Sequence, residues 1–346
     1  MNDQACRDVI LNSARLDMAS HAGLVLDRYL SIPYKAEGHP DERERLFENV
    51  RKAIETSKPL YRLAYERWRK RLLDAPTHTT RFLKTSGRLI VGLSGDSVLE
   101  TGVTLHRTYG VPIIPGSALK GLASHYCHQV WGEKDAGLRS AQKYHKTLFG
   151  NTEDSGHITF YDAWITPYSN GLVFDVMTPH HQEYYRGDSE IFPTDFDDPN
   201  PITFLSMSGA FLFGVGCDVP DEDGTKWAGF AMKILVEALE YWGIGGKTNS
   251  GYGRLVPDTK MEEEEKIKGL PAKERIYAQV EQMDLKRIKR AFGRDWKKMR
   301  EHYGADLGIF IQAVQEIHGE QIRKELEKAA NKKEKKVLRR ILSSIP

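Results

Sequence analysis

Cysteine is scarce in this sequence. Cys6, Cys127 and Cys217 are the three in 346 residues, an odd number with no C-x-x-C spacing. That pattern argues against a structural zinc site and offers no disulfide framework, so buried or incidental thiols in a reducing cytoplasm are expected. Long apolar runs are missing too. No stretch of about 18 apolar residues occurs, so no membrane-spanning helix is expected. The opening "MNDQACRDVILNSARLDMAS" lacks the apolar centre of a signal peptide. Charge of one sign is not in excess either: 50 Lys and Arg face 48 Asp and Glu, for a net +2. An argument for a nucleic-acid partner therefore rests on local distribution. Internal repeats and low-complexity tracts are absent as well.

Nucleotide-binding motifs also fail. Residues 241–255, "YWGIGGKTNSGYGRL", contain a "GGKT" that resembles the end of a phosphate-binding loop. The first glycine of G-x-x-x-x-G-K-[ST] would fall at residue 241, which is Tyr241. Here a helical pattern precedes and a strand-like one follows, the reverse of that motif's order. G-x-G-x-x-G fails as well, because Gly243 and Gly245 lead to Thr248. No cofactor and no metal is expected.

What is present divides into three regions. Residues 1–80 are mainly helical. Leu46, Val50 and Ile54 share one face, and Leu60, Ala64, Trp68 and Leu72 continue it beyond Pro59, with Arg62, Arg67, Arg69, Lys70 and Arg71 opposite. Residues 81–257 alternate. The stretch 81–105 is strand-like with glycine punctuation, and 115–131 reads as a helix with Ser117 as candidate N-cap and Leu119, Leu122, Tyr126 and Val130 inward. Residues 157–165 form a strand, and 174–201 a loop rich in Pro, Asp and aromatics. A second strand spans 202–216, bent near Gly209. Residues 226–242 form an apolar amphipathic helix ended by Gly243, and 252–257 a short strand. This order, β-α-β-β-α-β, defines an α+β, ferredoxin-like (RRM-like) core with both helices on one face of an antiparallel sheet. Residues 258–346 form a charged helical extension with breaks near Gly293, Gly304 and Gly319. Nine Lys or Arg against three Glu in 321–340 leave a solvated face, a phosphate-contacting face or a subunit contact open.

The glycine loop is the strongest binding candidate. Gly243, Gly245, Gly246, Gly251 and Gly253 surround Lys247, Thr248, Asn249 and Ser250. A backbone without Cβ atoms can approach a phosphodiester closely through its N–H groups, and would contact phosphate and ribose without reading bases. A purely structural connection needing positive φ is the alternative.

These segments resemble the RAMP proteins of CRISPR ribonucleoprotein effectors. That family has a G-aliphatic-G, then G-aromatic-G loop, matched by Gly243, Ile244, Gly245 and by Gly251, Tyr252, Gly253. Its "IPGSSLKG" element reads here as "IPGSALKG" at 114–121, and Leu148, Phe149, Gly150 with "GHITFYDA" at 156–163 matches its second-strand signature. Residues 23–30, 174–185, 193–195 and 199–206 are similar to the sixth-subunit branch of the type III-B (Cmr) complexes. The resemblance covers 15–257 in patches. It implies a non-catalytic cytoplasmic subunit of antiviral defence that binds guide RNA near its 3′ end, helps hold single-stranded target RNA, and assembles with the other Cmr RAMP subunits. It places Lys120, at a helix N-terminus, as a phosphate contact. Ser117 is a hydroxyl donor or a cap. Lys247, Thr248, Asn249 and the loop glycines hold phosphates and riboses, while Arg254 assists or pairs with a carboxylate. Family members often carry an arginine where this chain has Ser124, leaving His125 or His128 to supply that contact.

A RAMP endoribonuclease processing guide precursors is the alternative, with His180, His181, Tyr184 and Tyr185 as candidate groups. Adjacent histidines do not share one face, which favours a turn with a buried imidazole. Asp27 is a second catalytic candidate, set against a structural Asp27–Arg28 role. His180 and His181 with Glu183 or Asp188 would make a weak metal set. Tyr161, Trp164, Phe204, Phe211 and Phe213 either stack on bases or fill the core. A protein–protein scaffold without RNA contact is the third reading.

Overall fold

The computed structural model describes residues 9, 15, 18–30, 40–95, 99, 101–169, 171–178, 184, 192, 194 and 201–343. The chain divides into two compact units, Met1–Asp258 and Thr259–Pro346.

The first unit is α+β. It opens with helices α1 (Ala22–Arg28) and α2 (Pro40–Asp74), and α2 continues through Pro59. Strand β1 (His78–Thr85) follows, then β2 (Ile113–Ile114) and α3 (Gly116–Tyr126), which runs into a π-helical turn at Cys127–Trp131. Next come α4 (Lys143–Phe149), β3 (Ile158–Phe160), β4 (Ala163–Ile165), β5 (Gly171–Met177), β6 (Ile202–Ser208) and β7 (Ala210–Cys217). Helix α5 (Glu222–Tyr241) and β8 (Leu255–Pro257) close the unit. The main sheet runs β2-β4-β7-β1-β8, with β3 also on β7, and all its pairings are antiparallel.

Strand β7 is buried along its whole length, because both faces of the sheet are covered. A Cβ on Gly214 would lie 2.8 Å from Leu72 of α2. Gly214 and Leu212 therefore face α2, and by strand alternation Phe211, Phe213 and Val215 face the other way, towards α5. The core helices α3 and α5 pack on each other and on the sheet, and α2 adds a layer on the opposite face. Helix α2 lies on the face that an RRM leaves open for bases. Trp68 of α2 stacks on Trp164 at 4.8 Å, and Tyr61 stacks on it at 5.9 Å. Phe204, Phe211 and Phe213 are core residues, and Tyr161 packs on His78. Phe204, Phe211 and Phe213 therefore fill the core, while Tyr161 and Trp164 are half-buried against neighbouring rings.

Other sequence expectations are corrected in detail. The stretch 81–105 is strand only to Thr85, and beyond it Leu89 and Leu105 make isolated bridges. Glycines force close turns there: a Cβ on Gly102 would sit 2.4 Å from the Gly92 carbonyl oxygen. Residues 157–165 form two short strands. The strand expected over 202–216 is two strands in different sheets, joined at Gly209 with φ 150°. Strand β5 replaces the start of the loop expected from 174, and pairs with β6 as a separate two-stranded sheet.

The second unit is helical, with α6 (Thr259–Gly269), α7 (Ala272–Glu281), α8 (Leu285–Phe292), α9 (Trp296–Tyr303), α10 (Leu307–Lys328) and α11 (Lys332–Ser343). Its core gathers Ile288, Phe292, Phe310, Val314 and Leu338. Gly293 and Gly304 end helices, but Gly319 lies inside α10, where no turn requires it.

Candidate nucleic-acid interface

Helices α3 and α5 run antiparallel. The Trp131 indole N–H donates to Glu237 Oε2 at 3.0 Å and its ring meets Phe230, while His125 and Tyr126 meet Trp242 edge-on. The N-terminal turn of α3 therefore points towards the end of α5 from which the glycine loop leaves. The fold places Ser117 and Lys120 at the same end of the helical layer as residues 243–254.

The helix N-terminus is not an open anion site. Gly116 N donates to Asp162 Oδ1 at 2.7 Å, and Ala118 and Leu119 N–H both reach the Pro115 carbonyl. Pro115 is the N-cap and Ser117 lies inside the helix, exposed, so the Ser117 cap is corrected. Asp162 fills the capping role from a position after β3 and places negative charge where the dipole favours it. A Cβ at Gly116 would lie 2.1 Å from the Phe160 carbonyl oxygen, so glycine there is a packing requirement. Lys120 has no ion pair or hydrogen-bond partner among the described residues.

The glycine loop is built chiefly to close on protein. Gly243, Gly245, Gly251 and Gly253 all have positive φ. Ile244 N donates to the Gly253 carbonyl at 2.9 Å, Gly246 N to Ile90 at 2.8 Å and Gly253 N to Arg88 at 2.7 Å. A Cβ on Gly245 would fall 2.0 Å from the Ile90 carbonyl oxygen, and one on Gly253 2.1 Å from that of Ile244. The expectation of a loop lined with free N–H groups is corrected to its tip. There Lys247, Thr248 and Asn249 keep backbone N–H groups without an acceptor among the described residues. Lys247 itself is left-handed, at φ 58°, and its carbonyl accepts from Ser250 N and Tyr252 N. Its exposed ammonium has no partner among the described residues.

The remaining candidates have defined places. Arg254 Nη1 donates to the Glu240 carbonyl at 3.1 Å, covering the C-terminus of α5 rather than pairing with a carboxylate. Ser124 bonds His145 Nε2 at 3.0 Å, and His128 Nδ1 accepts from Ser140 N, so both are engaged internally. Asp27 is exposed near the end of α1, with neither it nor Arg28 in an ion pair among the described residues. His180, His181, Glu183, Tyr185 and Asp188 lie outside the described residues, and Tyr184 is exposed. Among the described residues no three His, Cys, Asp or Glu side chains converge as a metal site. Cys127 and Cys217 are free and buried, and burial pushes the Cys127 thiol up to about 11, which leaves it protonated and unreactive. Cys6 lies outside the described residues. No described helix is long and apolar enough to cross a membrane.

Sequence reasoning missed three contributors: Asp162, Asp175 and the 86–93 segment under the loop. Asp162 stood in plain view within "FYDA", but its helix begins 46 residues earlier.

The RAMP superfamily model matches residues 82–256. The chain belongs to that superfamily. Within it, the chain is similar to the CRISPR system Cmr subunit Cmr6 of Pyrococcus furiosus, at 30% identity over 59% of this chain and 76% of that protein. It is similar also to Cmr6 of Saccharolobus solfataricus, at 32% identity over 49% of this chain, and spans about half of that protein, 54%. Among solved structures, a chain of the type III-B Cmr-beta complex bound to cognate target RNA aligns at 21% identity and TM-score 0.44, covering 64% of this chain and 75% of that chain. The crystal structure of Cmr6 from Pyrococcus furiosus aligns at 30% identity and TM-score 0.34, covering 52% of this chain and 97% of that chain.

Proposed function

We propose that this chain is a non-catalytic, RNA-binding subunit of a type III-B CRISPR ribonucleoprotein in the cytoplasm. It holds the guide-RNA backbone near its 3′ end and helps retain single-stranded target RNA, beside other Cmr RAMP subunits. The framework is a ferredoxin-like core in which β1, α3, the β3–β4 pair, β7, α5 and β8 follow one another, with β8-β1-β7-β3 order in the sheet.

One observation carries the reading. Two lysines without partners among the described residues, Lys120 and Lys247, lie at one end of the helical layer beside three unpaired backbone N–H groups. Such a surface meets phosphates and leaves base choice to pairing. With the open sheet face covered by α2, RNA is held along this end rather than by base stacking on the sheet.

Lys120→Ala with Lys247→Ala should weaken binding of labelled RNA equally for unrelated sequences. The slope of log K against log salt should fall by about 1.4, at ~0.7 per lost phosphate contact on a single strand. Unchanged affinity and slope would sink the proposal for these lysines. In the same samples the RNA should stay intact. Cutting by the purified chain would favour the endoribonuclease instead.

A further inference from the structure

The helical unit carries basic residues whose distribution neither its own packing nor the RAMP match at 82–256 explains. Between 285 and 300 there are eight Lys or Arg and one acidic residue, Asp295. Some lysines of the unit are paired: Lys268 with Glu265, Lys324 with Glu320, and Lys289 of α8 with both Glu325 and Glu334. In α8, α9 and the turn between them Lys289 and Arg290 are the paired cations among the described residues. Arg290 pairs with Asp295 at 2.7 Å. Lys286, Arg287, Arg294, Lys297, Lys298 and Arg300 are exposed and have no acidic partner among the described residues.

Of these, Lys286, Arg287 and Lys298 border concave surfaces. A groove of about 500 Å³ is lined by Arg287, Arg290, Lys298 and His302, with Asp295, Met299 and Tyr303 among its other walls. A second concavity of about 310 Å³ adjoins it, sharing Arg287 and Arg290 and adding Lys286 and Asp284. Tyr303 is held rigidly, stacked on Phe310 at 4.4 Å with His302 against its edge at 4.8 Å. Helix α11 adds Arg340 over the Trp296 ring, 4.4 Å from its centroid. The eight residues of each short helix span about 12 Å, long enough to meet several phosphates of one strand.

We propose that α8 and α9 form a second nucleic-acid site in this protein, binding a phosphodiester backbone through Lys286, Arg287, Lys297 and Lys298, with Tyr303 and His302 as a stacking edge. This chemistry suits a nucleic acid better than a membrane. Interfacial helices expose large apolar residues, and the exposed large apolar residue described in this unit, Ile317, lies on α10. A groove with a cationic rim and aromatic wall is the arrangement of sequence-tolerant strand binders. Because the site lies in its own unit, it stands whether or not Lys120 and Lys247 contact RNA.

The test uses the full chain and three labelled probes of roughly 20 nucleotides, a length that spans a typical strand-binding site: single-stranded RNA, RNA duplex and single-stranded DNA. The variant is Arg287→Ala, Lys297→Ala and Lys298→Ala, made in the wild type and in the Lys120→Ala, Lys247→Ala background. Fluorescence anisotropy at 0.1 M salt should show about ten- to hundredfold weaker binding of at least one probe, with the salt slope lower by about 2 for a single strand. Which probe loses most identifies the strand type. The same fractional loss should recur in the core-variant background, which separates this site from the core one. A control with equal charge change, Lys260→Ala, Lys266→Ala and Lys324→Ala, should leave binding within a factor of two or three. Thermal unfolding should be unchanged, because the three side chains have no acidic partners to lose. If affinity and slope are unchanged for all three probes, or if the control loses as much as the variant, the proposal is wrong and the basic face is a solvated surface or a protein contact.

Discussion

The Tyr252 hydroxyl donates to Asp175 Oδ2 at 2.8 Å. This bond ties the glycine loop to β5, a strand of the small sheet, and Arg88 Nε lies 4.0 Å from the same oxygen. The Tyr252 ring also approaches Phe204 at 6.4 Å. The middle residue of the family's G-aromatic-G element is thus a latch, with its half-buried ring held beside β6.

Tyr252→Phe keeps the ring and removes the latch. Stability should fall by about 1–2 kcal/mol, the scale of a hydrogen bond to a charged group. Amide exchange should accelerate across 247–253 while the α5 amides stay protected, as read by hydrogen-exchange mass spectrometry. Equal rates in both proteins would show that the loop is held by its backbone bonds alone.

Two glycines of the loop should respond differently to alanine. Gly251 and Gly253 have nearly equal φ, 85° and 79°, but a Cβ at 251 meets open space while one at 253 meets the Ile244 carbonyl. Gly251→Ala should cost about 1–2 kcal/mol from left-handed strain alone. Gly253→Ala adds a backbone clash and should cost about 3–5 kcal/mol. Urea unfolding midpoints check the order, which a purely phosphate-driven choice of glycine would not produce.

Alkaline pH should destabilise the first unit through Tyr61. Burial pushes its phenol far above the ordinary range, with Tyr65 adding to the rise, and its hydroxyl donates to the Ile165 carbonyl. The unfolded chain loses this proton near pH 10, while the folded chain keeps it. The stability it contributes is intact below pH 10 and falls as pH rises further, by up to about 1.4 kcal/mol per unit. Tyr61→Phe should flatten that decline in thermal melts between pH 9 and 11.

Acid should act through His145. It is buried beside Ser124 and Phe149, and burial holds its imidazole below the ordinary range against the raising effect of its bond to the Ser124 backbone. Burial lowers His78 and His106 too. Below about pH 6.5 the unfolded state takes up protons first, so stability present at neutral pH is lost as pH falls. His145→Gln, starting from lower stability, should show a shallower fall between pH 7 and 5. Parallel curves would assign the acid response elsewhere.

Features that depend on short spacing were legible in the residues alone. Leu46, Val50 and Ile54 mark the inward face of α2, and the apolar period of 226–242 marks α5. The glycine pairs around 243–253 and "IPGSALKG" identify a RAMP-type core. Helix periodicity and positive-φ turns are local, so a few neighbouring residues carry them. Tertiary structure decided the rest, because the deciding partners are remote in the chain. Asp162 caps a helix that starts 46 residues before it, and Asp175 receives a hydrogen bond from a tyrosine 77 residues away. Whether the sheet face was open to bases depended on Leu72 and Trp68 of α2 reaching Gly214 and Trp164. No residue spacing encodes that encounter. It follows from burying apolar area on both faces of β7, which is favourable only once the helix and the sheet exist together.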